Sequence, residues 1–363
     1  MSPTDAINLE TVITGVRGIA AGENHSCGIK PNATVVCWGR NQEGQLGIGA
    51  YGNRYTPVAV VGLTNVISLA AGRFHTCAVR SDGTARCWGS NSSGQLGRPG
   101  GSSNVPAVVS GLSGAAQISV GAYHSCARLT NGTARCWGMN FYGQLGNGTT
   151  ANSSVPVAVQ GLTGATDVEA GWFHGCAVRS DGTARCWGRG STGEIGDGAN
   201  TNRTVSVAVP NLTGVADIDG GGSHTCASKT DGTVRCWGNN VSGQLGIGST
   251  TNRSTPTVVN GLAGVKAIAA GGAHTCALLT SGAERCWGAN YNGQLGNGGT
   301  TTQSTPVGVV GITTGARIAT GNGHTCSILT SGIAKCWGYG GSGQLGDGKA
   351  TTSSTPVQVV NYP

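Results

Sequence analysis

Apolar runs of four to six residues alternate along this chain with clusters of glycine, asparagine, serine and threonine, and no helical stripe appears. One stretch reads Val66 to Ala71, then His75 to Val79, then Thr84 to Trp88 and, after a loop through Gly94-Gln95-Leu96-Gly97, Val108-Val109. Short runs rich in β-branched and small residues, bounded by turn chemistry, predict four strands, called A to D here. The pattern then recurs. Cys-Trp pairs begin at 37, 87, 136, 186, 236, 286 and 336, a period of 50 that slips once to 49, and a histidine stands twelve residues before each. Those histidines, His25, His75, His124, His174, His224, His274 and His324, are all the chain has. Units that bury their faces only against neighbours predict an all-β, seven-bladed β-propeller with four antiparallel strands per blade.

A closed ring is a single domain whatever its length, here residues 1–363, with blades at about 15–61, 65–109, 114–160, 164–209, 214–259, 264–310 and 315–360. Residues 1–14 are left as an N-terminal extension or closing strand. Val12-Ile13 and Thr355 to Val359 compete for the outer edge of the last blade. The C-terminal strand is expected to finish it, with residues 8–13 beside it or over the junction.

Between strands B and C, Ser81-Asp82-Gly83 suits a three-residue hairpin with glycine in the left-handed conformation. Residue 80 then pairs with 84, and Cys77 faces Cys87. The same ten-residue spacing holds for Cys27 and Cys37, Cys126 and Cys136, Cys176 and Cys186, Cys226 and Cys236, Cys276 and Cys286, and Cys326 and Cys336. In the first unit Pro31-Asn32-Ala33 breaks the glycine rule. Opposed cysteines have Cα atoms about 4.5 to 5.5 Å apart, within reach of a disulfide. Seven disulfides point to an extracellular or cell-surface setting; the other reading is reduced, buried thiols in a cytoplasmic protein.

Composition narrows the function. The net charge of +7 is spread without a run of five Lys or Arg, so nucleic-acid binding is not expected, and no apolar run of 18 residues spans a membrane. Met1 to Asp5 lack the features of a secretion signal, which fits a cytosolic protein or one whose signal has been removed. No cofactor is expected. His75, Cys77 and Cys87 share a face, but structural zinc takes four ligands, and a histidine bonded to a neighbouring backbone group is favoured over a metal site. Glu169, Asp217 and Asp219 fall near the channel, where solvated polarity is favoured over a cation site. The tryptophans share the other face with Arg86 and its equivalents, which predicts cation–π contacts between blades.

The motifs GxxHTCAL, DGTxRCWG, NxxGQLGxG and TPVxV, in register from about Gly15 to Val360, resemble the repeats of the regulator of chromosome condensation family. The resemblance implies a seven-bladed propeller. It leaves function open, because members act as nucleotide-exchange factors on a small nuclear GTPase, as ultraviolet sensors in plants and as secreted inhibitors of β-lactamase. Cysteine in both strand positions resembles bacterial surface or secreted members. The photoreceptor's Gly-Trp-Arg-His-Thr repeats have one imperfect counterpart, Gly171 to Gly175.

Individuality gathers on one face. Loops A–B and C–D share an end of the disc, and their variable positions bring Arg73, Phe74, Tyr123, Phe141, Tyr142, Trp172, Phe173 and Arg189 to blades 2 to 4. Aromatic and arginine side chains in one sector make a hot spot for a protein partner; the same rings could stack on glycans or fold down to plug the channel. Blade 4 also breaks the repeat at Gly175 and at Gly193 to Gly196. The expected function is a non-enzymatic binding module, against a purely structural unit of a larger surface protein, or a channel-centred enzyme or metal-binding propeller.

Overall fold

The computed structural model of the chain describes residues 18–360; residues 8–13, expected near the ring junction, lie outside them. Among the described residues twenty-eight strands form seven four-stranded antiparallel sheets, each a simple meander. In the second blade strand A is Val66–Ala71, B is His75–Arg80, C is Ala85–Gly89 and D is Ser103–Val108. The last strand, Ser353–Gln358, is the outer strand of the seventh sheet, as expected of the C-terminal segment.

The hairpin register is as expected. Arg80 N–H donates to the Thr84 carbonyl, Gly83 has φ +75°, and Cys77 stands opposite Cys87. All seven cysteine pairs are disulfides, with Cα separations of 4.0–4.1 Å. That is closer than expected. Counting from the bonded pair at 80 and 84, alternation puts each cysteine pair at a non-hydrogen-bonded site, where strands approach most. In the first hairpin Ala33 takes the glycine's role at φ +60°.

Each core belongs to two blades. Trp88 of blade 2 packs with Cys27, Ile29, Cys37 and Leu46 of blade 1, and Trp38 of blade 1 packs with Cys326, Ile328, Cys336 and Leu345 of blade 7. The indole N–H of Trp88 donates to the Gln45 carbonyl, and that of Trp38 to the Gln344 carbonyl, both at 2.9 Å. The expected cation–π contacts therefore give way to tryptophan packed on the preceding blade's disulfide. Arginine-over-ring contacts among the described residues lie on the rim instead.

The histidines also join blades. His75 Nε2 lies 2.9 Å from Ser125 Oγ, and His25 Nε2 lies 2.9 Å from Thr76 Oγ1. The partner is thus a side-chain hydroxyl of the next blade rather than a backbone group. Burial lowers the pKa of His25, His75, His174, His224, His274 and His324 to about 3 and that of His124 to about 4, so all seven rings are neutral at pH 7. Blade 4 has Gly175 where the others carry Ser or Thr, and neither nitrogen of the buried His124 finds a partner. Around the axis, loop amides bond carbonyls of the next blade, including Glu23 to Gly72, Trp172 to Gly221 and, closing the ring, Asn322 to Gly22.

Candidate functional site

Backbone bonds bring the two loops of each blade together. Arg40 N–H donates to the Asn24 carbonyl, Met139 N–H to Tyr123 and Arg189 N–H to Phe173, so the variable ends of loops A–B and C–D sit side by side. Within the C–D loop of blade 3, Asn140 Oδ1 accepts from Leu145 N–H and Gln144 Oε1 accepts from Tyr142 N–H. These bonds hold the backbone and leave positions 141 and 142 at the tip. The fold needs no particular side chain there.

Two clusters result. In the first, Arg73 donates from Nε to Glu23 Oε2 at 3.1 Å and from Nη1 to the Tyr123 hydroxyl at 3.0 Å. Its guanidinium lies 5.0 Å from the Phe74 centroid and 5.6 Å from that of Tyr123, and Arg40 lies 5.1 Å from Phe74. In the second, Tyr142 meets Phe141 and Phe173 edge to face at 5.0 and 5.5 Å, and Arg189 sits 6.0 Å from Tyr142 and 5.9 Å from Phe173. Phe141 is 68% exposed, while Phe74, Tyr123, Tyr142 and Phe173 are half-buried. Trp172, also half-buried, lines a cavity of about 50 Å³ at the axial mouth, together with Arg73, Glu23 and Asn322.

Sequence reasoning missed part of this face. Val241 and Tyr291 occupy the tip position of Phe141 in blades 5 and 6 and are 68% and 73% exposed. Aligning the loops by their Asn-x-x-Gly-Gln motif would have found them. The role of Glu194 was also missed: its carboxylate, buried beneath the second cluster, lies 3.3 Å from Arg189 Nε.

The channel carboxylates are not solvated. Strand A is the inner edge of each sheet, and its outward N–H groups need acceptors. Asp217 Oδ2 accepts from Ile268 N–H and Asp219 Oδ2 from Ala270 N–H, both one blade on, while Glu169 accepts from Ser119 and Gln117 one blade back. Burial pushes the Asp217 carboxyl up to about 6 and Asp219 well above the usual range. Among the described residues no three His, Cys, Asp or Glu side chains converge on a metal position, and no helix is long and apolar enough to cross a membrane.

The regulator of chromosome condensation (RCC1) repeat matches residues 16–45, 66–95, 115–144, 165–194, 215–244, 265–294 and 316–344, one segment in every blade. A second description of that repeat, in a longer frame, matches 33–79, 82–128, 131–178, 231–278 and 286–328. Among solved structures, Prp20p of Saccharomyces cerevisiae is similar with a TM-score of 0.82 at 20% identity over 99% of this chain and 88% of that one. Yeast RCC1 (Prp20) bound to Kap60 gives 0.80 at 21% over 90% and 83%, and human WBSCR16 gives 0.78 at 22% over 88% and 87%. At such identities the likeness shows the shared fold. Seven repeat matches in register with seven blades carry more, and by them the chain belongs to the regulator of chromosome condensation repeat family.

Proposed function

We propose that this propeller is a non-enzymatic binding module that holds a protein partner on the loop face of blades 2 to 4. The observation that carries the reading is the run of arginines and aromatic rings from Arg40 to Arg189, built on loop positions the fold leaves free. Such anchors, half-buried and fixed by neighbours, lose little freedom on binding. Protein is favoured over glycan for a geometric reason. A sugar ring stacks on an open aromatic face, whereas guanidinium groups lie over Phe74, Tyr123, Tyr142 and Phe173. The fold has precedent as a protein binder, since the yeast Prp20p structure was described with its binding to Gsp1p and histones.

Seven disulfides support an oxidising, extracellular or cell-surface setting. Capture from the native surroundings with wild type, Phe74→Ala, Tyr123→Ala and Phe173→Ala tests the reading. Each variant should lose about 30-fold in affinity for the captured protein while the melting temperature stays nearly constant. Undiminished capture, or competition by free oligosaccharides alone, would overturn it.

A further inference from the structure

Six blades carry glutamine in the Gly-Gln-Leu-Gly motif or its counterpart, and blade 4 carries Glu194. The local task at this position is to accept one backbone N–H. Gln144 Oε1 takes it from Tyr142 at 2.9 Å, and Glu194 Oε2 takes it from Thr192 at 2.8 Å. An amide does this as well as a carboxylate, so the fold has no use for the charge, and burying a charge is costly unless it is paired. Glu194 is fully buried, and its other oxygen lies 3.3 Å from Arg189 Nε. Charge and arginine belong together.

Arg189 is held from three sides. Its Nε faces Glu194 and donates to Ser191 Oγ at 3.0 Å, while Tyr142 and Phe173 flank the guanidinium. Its two Nη atoms make no hydrogen bond among the described residues, and the side chain is 26% exposed. Arg73 repeats the plan, with Nε on Glu23 and Nη1 on Tyr123, leaving Nη2 without a bond among the described residues. The two glutamates lie deeper than the arginines, at 12% and 1% exposure against 35% and 26%, so at these two sites the cation lies outside its carboxylate. A guanidinium fixed at Nε with unbonded Nη groups is a fork that matches a carboxylate.

We infer that Glu194 is a positioning residue that presets Arg189 as a carboxylate receptor, and that the protein bound on this face presents an acidic side chain beside an apolar one. The inference rests on the protein-binding reading above. The net charge of +7 favours the approach of such a partner.

Three capped hexapeptides that pair tyrosine with glutamate, glutamine or lysine test it by fluorescence polarisation, at low and high salt. Wild type should bind the glutamate peptide at least about 10-fold more tightly than the glutamine peptide, a preference that shrinks with salt. Glu194→Gln restores the residue of the other six blades and so keeps the fold; it should cut the preference to about 2-fold, and Arg189→Gln should abolish it. No measurable binding of the glutamate peptide, equal binding of the glutamate and glutamine peptides, an unchanged preference in Glu194→Gln, or tighter Arg189-dependent binding of a sulfated tetrasaccharide would each overturn the inference. Phe173→Ala separates the two claims. If it weakens all three peptides while charge makes no difference, the face stands and the receptor falls; if it changes nothing, the face itself falls.

Discussion

Replacing Glu284 with glutamine should stabilise the protein at alkaline pH and leave it nearly unchanged at pH 5. Glu284 opens strand C of blade 6, where the other blades have Ala or Val, and it is 2% exposed. Two further departures accommodate it. Gly315 leaves room, since a Cβ there would lie 2.6 Å from Glu284 Oε1, and Ser327 donates its hydroxyl to that oxygen at 2.5 Å. Burial raises the carboxyl from 4.5 to about 8, only partly offset by the Ser327 bond. A carboxyl raised in the folded state stays neutral there while the unfolded chain ionises above 4.5, so its destabilising contribution grows as pH rises from 4.5 to 8 and is constant beyond. At 1.36 kcal/mol per unit it comes to about 3 kcal/mol at pH 7 and about 4 at pH 8, against under about 1 at pH 5. Glutamine keeps the shape and does not titrate, but its amide puts two unpaired N–H groups where the neutral acid has one unpaired O–H, a net cost of about 1 kcal/mol. The net expectation is no gain at pH 5 and a gain of about 3 kcal/mol at pH 8. Guanidinium denaturation of both proteins from pH 5 to 9, with disulfides intact, measures it; a difference that does not vary with pH would refute the assignment of a neutral buried acid.

The histidines act in the opposite direction. Their folded pKa values lie below 6.5, so the stability they protect is complete above pH 6.5 and is lost as pH falls; removing one titrating ring by His75→Gln should flatten the stability–pH slope below pH 6 by about 1.4 kcal/mol per unit. An unchanged slope would show that the ring is already charged in the fold. Because His124 lacks the hydroxyl partner that His75 has, His124→Ala should cost about 1 kcal/mol less than His75→Ala in the same denaturation assay. Ala33→Gly should raise stability by about 1 kcal/mol by relieving the left-handed alanine, whereas Ala85→Gly, in a strand, should lower it.

How far the sequence could be read follows from where each interaction runs. Within a blade the partners are close in the chain: Cys77 and Cys87 are ten residues apart, and turn chemistry sets their register, so hairpin and disulfide were legible. Between blades the partners lie 30 or more residues apart, and 306 apart for Trp38 and Gln344 at the ring junction, and chain periodicity says nothing about which atoms meet. The contact of His75 with Ser125, the Trp88 bond to Gln45 and the capping of Ile268 by Asp217 all required the packed ring. The rim is an intermediate case. The up-and-down course of the strands placed the loops carrying Arg73, Phe74, Tyr123 and Phe173 at one end of the disc, but the tether from Glu194 to Arg189 depends on a loop that doubles back over five residues.

The binding face itself is tested most directly by photo-crosslinking to the native partner. A photoreactive residue would replace, one at a time, Phe141 at the tip of blade 3, Tyr291 at the same tip in blade 6, and Asp82 on a hairpin at the opposite end of the disc. A face centred on blades 2 to 4 predicts a strong adduct from position 141, a weaker one from 291 and none from 82. Adducts from position 82 alone, or equal yields from all three, would contradict it.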